Sequence, residues 1–367
     1  MEDENLICGE CIGEDYLKTY IKRNGEREIC SYCGRMKKVL NLDDLLEVIR
    51  DGLEYIYDDP ANGLAWEDGE YVEGTSPILD SDELLPDIFT EASDKVLENL
   101  NSYFNDKQWC KRDFYGLDEA EESFYTWERF KNIIKYKSRF FFTNKTYKST
   151  DDFTKYKQPY KILERIYKTI SSLKLYSNLT KGTLIYRARK GSHLSKEELS
   201  SPGPYNCKYS NRFSPAGISM FYASDNANTC LNELSLTNNC SIGTWEVQND
   251  LEIYDFTHKF QFFNNRYSYN HFPSIFDETR RQYYHDYKFL LEILTDMSKK
   301  IIKNDEENIE YVPTQIVTEY LHIRNPKRYG LGYYSAINGQ RNYCLFFDKK
   351  ECLNEKHIKF IDSCYIK

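Results

Sequence analysis

The stretch NRFSPAGISMFYASDNANTCLNEL, residues 211–234, joins a turn, a strand and the start of a helix in one run. Within SPAG, residues 214–217, Pro215 fixes its own φ and Gly217 permits a positive φ, so a tight turn is predicted. An arginine opens this turn and a glutamate lies far along the helix that follows. The arrangement raises the question of whether these side chains form a site.

The strand after the turn alternates, which places Ile218, Met220 and Tyr222 on one face. The following helix carries Glu233 at the border of its apolar stripe. The unit can therefore bring Arg212, Tyr222 and Glu233 together at one end. Each of the three also has an ordinary interpretation: a surface arginine, a core tyrosine and a solvated glutamate.

Composition and charge limit the possible functions. The chain has 367 residues, of which 40% are hydrophobic, so we expect two domains and perhaps a small third unit. A net charge of −9 disfavours non-specific nucleic-acid binding. Residues 41–100 carry a net charge of −16, whereas residues 181–215 carry a net charge of +5. The local basic cluster favours a small phosphate-bearing ligand, and a solvated basic face is the alternative.

The N-terminal sequence MEDENLICGE lacks the pattern of a signal peptide, and no run of about 18 apolar residues occurs. We therefore expect no membrane association. Eleven cysteines without an export signal indicate reduced thiols and a metal site. Cytoplasmic localisation is the corresponding expectation.

Two C-x-x-C pairs lie close to the N-terminus, separated by 18 residues. Cys8 and Cys11 form the first pair, and Cys30 and Cys33 form the second. Four thiolates at this spacing can close a tetrahedron around Zn²⁺, and a site without an open position is structural and not catalytic. A redox pair or unrelated surface thiols are the alternatives.

The patterning along the chain predicts an α+β protein. Helical periodicity dominates 40–57, 81–104, 123–142 and 160–173. Short β-like runs follow at 183–189, 218–224, 242–248, 251–257 and 341–348, with amphipathic helices at 286–301 and 314–323. The predicted organisation is a four-cysteine zinc-binding unit (1–36), a helical domain (37–180), a mixed α/β domain (181–350) and a C-terminal tail (351–367).

The segment 181–350 resembles the RES domain, which is named for an Arg-Glu-Ser signature, and the matching pieces occur in order. The N-terminal half resembles the HEPN/RES-type extension that precedes this domain in longer members. The matching pieces are Tyr186–Arg189, Asn211–Gly217, Met220–Ala223, Leu231–Glu233, Glu310–Gln315, Glu319–Tyr320, Tyr334–Ser335 and Asn342–Phe346.

This resemblance implies a fold similar to ADP-ribosyltransferase toxins and destruction of NAD⁺ as substrate. Arg187 and Arg212 would hold the pyrophosphate with forked, charge-assisted bonds. Tyr222 would stack on the nicotinamide ring, and Glu233 would stabilise the oxocarbenium-like ribose. Ser335 would orient the ribose or the nicotinamide amide.

Several assignments stay open. Arg189 is the alternative to Arg187 as a ligand of the pyrophosphate, since alternation puts both on the same strand face. Glu246 is the alternative to Glu233 as the carboxylate beside the ribose. Gln315 and Glu319 lie one helical turn apart and could support the site, pack or cap. The acceptor also stays open: water gives a glycohydrolase, phosphate a phosphorylase and a protein side chain an ADP-ribosyltransferase.

Two other functions are alternatives to the destruction of NAD⁺. An RNase site of the HEPN type is disfavoured because the predicted helical half contains no histidine, and the Arg280–His285 run lies in the RES-like segment. A non-catalytic, zinc-anchored binding module is the other alternative. A free NADase would poison its own cell, so we expect a restraining antitoxin or a trigger protein, in a toxin–antitoxin or phage-defence setting, and a homodimer.

Overall fold

The structure is a computed structural model, and the chain divides into two compact units. The first comprises residues 1–121 and 272–286, and the second comprises 122–271 and 287–367. The sequence-based division differs, because it separated a zinc-binding unit from the helices after it and assigned 122–180 to the N-terminal domain. The structure describes residues 5–105, 107–143, 158–234, 238–257, 260–263, 266–269, 273–299 and 307–367.

The first part of the chain alternates short strands with amphipathic helices. Three of its strands form a small sheet in the order β1-β3-β2, and three others form a second sheet in the order β4-β8-β7. The elements are β1 (Leu6–Cys8), α1 (Gly9–Ile12), α2 (Asp15–Asn24), β2 (Glu26–Ile29), β3 (Met36–Asn41), α3 (Leu42–Ile56), β4 (Tyr57–Asp58), β5 (Trp66–Glu67), β6 (Glu70–Tyr71), β7 (Leu79–Asp80), α4 (Ser81–Ile88), α5 (Asp94–Tyr103) and β8 (Gln108–Lys111).

Helix α3 shows why this region folds as the periodicity predicts. The Asn41 side chain accepts a hydrogen bond from the Asp43 amide and caps the helix N-terminus. The apolar residues at helical spacing, among them Leu45, Ile49 and Leu53, are fully buried in the core of the first unit. Burial of each such side chain stabilises the fold by roughly 1.5–3 kcal/mol.

From residue 119 onwards the chain forms helices around one large sheet. The elements are α6 (Glu119–Tyr136), α7 (Ile162–Ser172), β9 (Tyr176–Leu179), β10 (Leu184–Lys190), α8 (Lys196–Leu199), β11 (Phe221–Ser224), α9 (Ala227–Glu233), β12 (Cys240–Val247), β13 (Leu251–Asp255), β14 (Phe260–Phe263), β15 (Arg266–Tyr269), α10 (Tyr284–Ser298), α11 (Glu307–Glu310), α12 (Val312–Arg324), β16 (Gly330–Tyr334), β17 (Arg341–Leu345), α13 (Lys349–Leu353) and β18 (Ile358–Ile366).

The large sheet has eight strands in the order β18-β12-β10-β11-β17-β16-β13-β9. Its pairs are antiparallel except β13 with β16, which is parallel. Strand β18 pairs with β12 from Cys240–Ile366 to Val247–Ile358. The prediction of a C-terminal tail from residue 351 is therefore wrong for this segment, since main-chain pairing recruits it into the sheet.

One face of the large sheet is covered by an apolar core, and its strands alternate accordingly. On β17, Tyr343 and Leu345 are buried in this core. Asn342, the residue before Tyr343, points to the opposite face. Trp245 on β12 is fully buried, and its ring packs edge-on against the Phe221 ring, with 5.3 Å between the ring centroids. The face opposite this core carries the polar side chains that form a cavity.

The helices and strands predicted from periodicity are present in an α+β architecture, with shifted ends. The region 81–104, predicted as continuous helix, is broken between α4 and α5. The strand predicted from residue 218 begins at Phe221. Within the described residues, no helix combines the length and the apolar character that crossing a membrane requires.

Candidate active site

A cavity of about 690 Å³ opens beside β10, β11 and α9 in the second unit. This volume lies within the range of about 300–1,000 Å³ that is usual for small-molecule sites. Ile218, Met220 and Tyr222 all line it, as their alternation predicted. The lining residues are Arg187, Ala188, Pro202, Cys207, Ser210, Asn211, Arg212, Ser214, Ile218, Met220, Tyr222, Ala223, Cys230, Glu233, Leu234, Tyr311, Tyr333, Ala336, Ile337 and Asn342.

The cavity lies where two neighbouring strands diverge. Strands β10 and β11 pair at one position, Tyr186 with Ser224. Further along, the main-chain oxygen of Tyr222 accepts a hydrogen bond from the Arg187 guanidinium, with an Nη1–O distance of 3.0 Å. The arginine thus fills the gap between the strands, and its head group lies against the cavity.

Arg187 has unused donor capacity. Its Nε is buried without a hydrogen-bond partner, and no carboxylate among the described residues pairs with it. Its guanidinium lies 5.3 Å from the centroid of the Phe221 ring. Burial lowers the pKa of Arg187, but an arginine remains charged at neutral pH. A buried cation of this kind favours an anionic ligand in the cavity.

The turn that carries Arg212 has the conformation predicted from its sequence. Gly217 has a φ of +90°, and the Asn211 amide donates to the Ser214 oxygen at 2.8 Å. The Arg212 guanidinium donates to the main-chain oxygens of Met297, in the last turn of α10, and Lys299, just past its end. Arg212 therefore lines the cavity while two of its five N–H donors satisfy carbonyls at a helix C-terminus.

Gln315 on α12 holds the same turn from the other side. Its side-chain amide donates to the main-chain oxygens of Asn211 and Ser214, at 2.8 and 3.3 Å. The side chain is 7% exposed. Of the roles left open for Gln315, the structure selects support of the turn that presents Arg212.

The Tyr222 hydroxyl is also engaged with this turn. It lies 3.0 Å from the Ser214 hydroxyl and accepts from the Phe213 amide at 3.3 Å. Burial raises the pKa of Tyr222 well above its usual value, so the phenol stays neutral. Tyr222 also lines the cavity.

Glu233 is the last residue of helix α9. Asn226 caps the helix, with its side chain accepting from the Asn228 amide. The Cys230 thiol donates to the Tyr186 main-chain oxygen at 3.0 Å, which ties the helix to β10. The Glu233 Oε1 atom accepts from the Asn342 side-chain amide at 2.8 Å.

Tyr333 on β16 lies on the same side of the cavity as Glu233. Burial raises its pKa well above the usual value, and the negative charge of Glu233 adds to that effect. The Tyr333 ring packs edge-on against the Phe213 ring, with 4.5 Å between the ring centroids. The neutral phenol and the carboxylate thus border the same space.

Ser335, the predicted serine of the site, is fully buried and does not line the cavity. Its hydroxyl accepts from the main-chain amides of Ile337 and Asn338 at 3.1 and 3.4 Å. The two alternatives weighed from the sequence, Arg189 and Glu246, also lie outside the cavity lining. The structure thus brings Arg187, Arg212, Tyr222 and Glu233 together and separates Ser335 from them.

Two models of known protein families match the chain. The family model for the RES domain matches residues 184–362, and that for HEPN/RES N-terminal domain 1 matches residues 23–148. The chain contains a RES domain preceded by a HEPN/RES N-terminal domain. Its RES domain extends through most of β18, beyond the boundary predicted at residue 350, and its extension is the HEPN/RES type.

Other comparisons add little to the RES assignment. Among curated proteins, no sequence matches the chain. A solved structure that matches part of the chain is the M. tuberculosis MbcT–MbcA toxin–antitoxin complex, at 15% identity and a TM-score of 0.32. That match covers 55% of this chain and 91% of the other. The assignment of the RES domain and of its N-terminal extension therefore depends on the two family models.

Sequence reasoning missed three side chains of the RES cavity: Asn342, Tyr333 and Tyr311. Tyr311 contributes a ring 5.6 Å from the Arg212 guanidinium. Asn342 is 109 residues from its partner Glu233 in sequence. One signal was available, because a polar asparagine inside the apolar run NYCLF is unusual for a buried strand position.

The four predicted zinc ligands form a compact cluster in the first unit. The Sγ atoms of Cys8, Cys11, Cys30 and Cys33 all lie within 4.8 Å of one another. Three of the distances are 3.6 Å (Cys8–Cys11), 3.8 Å (Cys11–Cys30) and 3.9 Å (Cys8–Cys33). A zinc–sulfur distance of about 2.3 Å places tetrahedral sulfurs about 3.8 Å apart. The cluster is therefore compatible with a zinc ion.

Burial also matters for the chemistry of these thiols. It raises the pKa of Cys8 and that of Cys11, so both stay protonated in the absence of a cation. A zinc ion would displace those protons and hold four thiolates. With no ligand position left open, such a site stabilises the fold and does not activate a substrate.

Proposed function

We propose that the RES domain cleaves the bond between nicotinamide and ribose in NAD⁺, as a glycohydrolase or a phosphorylase. The observation that carries the proposal is the meeting of Arg187, Arg212, Tyr222 and Glu233 at one cavity. Arg212, Tyr222 and Glu233 come from the turn, strand and helix of residues 211–234, and Arg187 comes from β10. Their meeting at one cavity supports a function in binding a charged ligand that also has flat rings.

The charges of the cavity suit the pyrophosphate of NAD⁺. Arg187 has a buried, unpartnered Nε and no acidic partner among the described residues, so it supplies the main anion contact. Arg212 adds positive charge with the donors that Met297 and Lys299 leave free. Forked guanidinium–phosphate bonds are shorter and stronger than neutral hydrogen bonds.

The remaining residues suit the nicotinamide riboside end. The Tyr222 ring provides a flat surface for the nicotinamide ring. Glu233, held by Asn342, would accept hydrogen bonds from the ribose hydroxyls and offset the positive charge that develops on the ribose. Ser335 has no direct contact role in this proposal, since its hydroxyl is used by main-chain amides.

The chemistry requires little proton transfer. The C1′–N bond breaks with its electron pair going to the ring nitrogen, so the cationic ring leaves as neutral nicotinamide. An oxocarbenium-like ribose is left beside Glu233, and the acceptor adds to C1′. With water, the products are ADP-ribose, nicotinamide and one proton. With phosphate, a phosphorylated ADP-ribose is formed, and with a protein side chain, an ADP-ribosylated protein.

The decisive experiment measures NAD⁺ loss by the purified chain and the Glu233→Gln variant, which keeps the shape and removes the charge. Glu246→Gln is the matched control, because Glu246 was the alternative carboxylate and lies outside the cavity lining. We expect at least a 100-fold lower rate for Glu233→Gln and an unchanged rate for Glu246→Gln. Equal rates for wild type and Glu233→Gln would overturn the proposal.

Mass spectrometry of the products distinguishes the acceptors. Reactions are run with water alone, with added phosphate and with cell lysate. ADP-ribose, its phosphorylated form or labelled protein identifies a glycohydrolase, a phosphorylase or an ADP-ribosyltransferase. If NAD⁺ survives with all three acceptors, the non-catalytic binding module becomes the better reading.

We further propose that the activity is restrained in the cytoplasm by an antitoxin or a trigger protein. Unrestrained loss of NAD⁺ would kill the producing cell, so a toxin–antitoxin or phage-defence role follows from the proposed reaction. Induced expression should lower cellular NAD⁺ and arrest growth for wild type but not for Glu233→Gln. Growth arrest by both proteins would contradict this role.

A further inference from the structure

The carboxylate of Glu233 is held by a residue outside its own helix. Helix α9 has seven residues and ends at Glu233, so the helix alone does not fix the side chain. Asn342 supplies the hydrogen bond, at 2.8 Å from its Nδ2 to Glu233 Oε1. An amide that donates to a carboxylate fixes which oxygen is engaged and leaves the other available.

Asn342 is itself rigidly placed. Its side chain is 3% exposed, and strand β17 lies between β11 and β16 in the sheet. On these neighbours it pairs with Ser224 and Tyr333. A polar side chain on a central strand is positioned more accurately than one on a loop.

The turn between β16 and β17 is built on Ser335. The Ser335 amide donates to the Gln340 oxygen at 2.8 Å, and the Gly339 amide donates to the Ser335 oxygen at 2.9 Å. The Ser335 hydroxyl accepts from the amides of Ile337 and Asn338. These bonds close the turn and satisfy its main-chain donors inside the protein.

The same turn contacts the helix that carries Glu233. The Asn338 side-chain amide donates to the Thr229 hydroxyl on α9 at 3.1 Å. Thr229 is 1% exposed and lies four residues before Glu233. Helix α9 is thus anchored at Thr229 by the turn and at Glu233 by the strand that follows the turn.

We propose that Asn342 and the Ser335 turn are the positioning elements for Glu233, with Ser335 acting through Asn338 and Thr229 rather than on the nucleotide. This inference deepens the proposed function and rests on it. Ser335, the serine of the RES signature, therefore has a different role in this chain: it determines the position of the Glu233 carboxylate. Asn342 becomes the residue that orients the carboxylate toward the cavity.

The first test separates positioning from nucleotide binding by the split between kcat and KM for NAD⁺. Asn338→Ala removes the link from the turn to α9 at an exposed residue, so folding is preserved. The matched control is Asn228→Ala, an exposed asparagine on α9 itself. We expect Asn338→Ala to lower kcat about tenfold with KM within about twofold, and Asn228→Ala to leave both unchanged.

The second test concerns Ser335. Ser335→Ala should lower kcat, and Ser335→Thr, which keeps the hydroxyl, should restore it. The double variant Ser335→Ala/Asn338→Ala should lower kcat no more than the stronger of the two single substitutions, because both act through the hydrogen bond from Asn338 to Thr229. A Ser335→Ala variant that raises KM and leaves kcat intact, or fully additive effects, would show a direct role for Ser335 and overturn the proposal.

The third test uses Asn342→Leu, which keeps the approximate shape and removes the donor. We expect kcat to fall about 10- to 100-fold, and a crystal structure of the variant to show the Glu233 carboxylate turned away from its present orientation. An unmoved carboxylate would overturn the inference whether or not NAD⁺ is the substrate. Failure of the proposed function would be seen separately, as a wild-type protein without NAD⁺ cleavage.

Discussion

The Arg187 guanidinium donates to the main-chain oxygen of Tyr222, 3.0 Å away, at the place where strands β10 and β11 have diverged. One side chain therefore replaces a main-chain pairing and keeps the gap between the strands open. The same guanidinium borders the cavity and retains unpaired donors. Its planar, forked shape serves both contacts at once.

Arg187→Lys should therefore weaken NAD⁺ binding even though the charge is kept. A lysine ammonium cannot satisfy the Tyr222 oxygen and a pyrophosphate in the same fixed geometry. We expect KM for NAD⁺ to rise about tenfold, equivalent to about 1.4 kcal/mol. Steady-state kinetics check this, with Arg189→Lys as the control, since the exposed Arg189 bonds to the Glu198 oxygen instead. Equal KM values for the two variants would contradict it.

Gln315→Leu should loosen the turn that presents Arg212. The substitution removes the donor shared by the oxygens of Asn211 and Ser214, so that the partly buried Asn211 oxygen loses this partner and the Ser214 oxygen keeps only the Asn211 amide. Each buried unsatisfied group costs about 1–3 kcal/mol. We expect a lower melting temperature of the second unit and weaker NAD⁺ binding, measured by calorimetry. Glu319→Gln, one helical turn further, should change neither, and a matching loss there would contradict the assignment.

The four-cysteine cluster should bind one zinc ion per chain. Elemental analysis of the purified protein measures the stoichiometry, and Cys11→Ser should abolish it. Because the thiols must lose protons to bind, zinc affinity should fall as the pH falls. The first unit should melt at a lower temperature in Cys11→Ser, while Cys364→Ser, at an exposed site outside the cluster, should behave as wild type. Retention of zinc by Cys11→Ser would exclude the four-thiolate site.

The Tyr320–Glu164 contact predicts an alkaline dependence of stability. The phenol donates to the Glu164 carboxylate at 2.6 Å, and burial together with that negative charge raises the pKa of Tyr320 to about 12. The hydrogen bond should contribute about 1 kcal/mol to the free energy of unfolding. Since the folded pKa exceeds the unfolded value near 10, the contribution is present below pH 10 and is lost as the pH rises toward 12.

Denaturant titrations of Tyr320→Phe measure this contribution. The variant should be less stable than wild type at pH 8, and the difference should shrink between pH 10 and 12. Tyr329→Phe controls for the loss of a tyrosine hydroxyl elsewhere in the same unit. A difference that stays constant with pH would show that the hydroxyl is not bonded to a carboxylate.

The local elements could be predicted from sequence because their signals are local. The helix spacing of Leu45, Ile49 and Leu53 on α3, and the alternation that puts Met220 and Tyr222 at the cavity, depend on neighbours within a few residues. Ser335 shows the limit of that reasoning. A serine beside a strand looks available to a ligand, and its complete burial depends on the turn closing around it.

The sequence by itself predicted the α+β class, the paired cysteines, the RES domain and a candidate set of arginine, tyrosine and glutamate, with Arg189 and Glu246 as open alternatives. These features are encoded by spacing and by side-chain type. Only the tertiary structure decided that Asn342 holds Glu233 and that β18 completes the sheet, because both pairings join residues more than 100 positions apart. Contacts of that range depend on the assembled eight-stranded sheet, which no local pattern specifies.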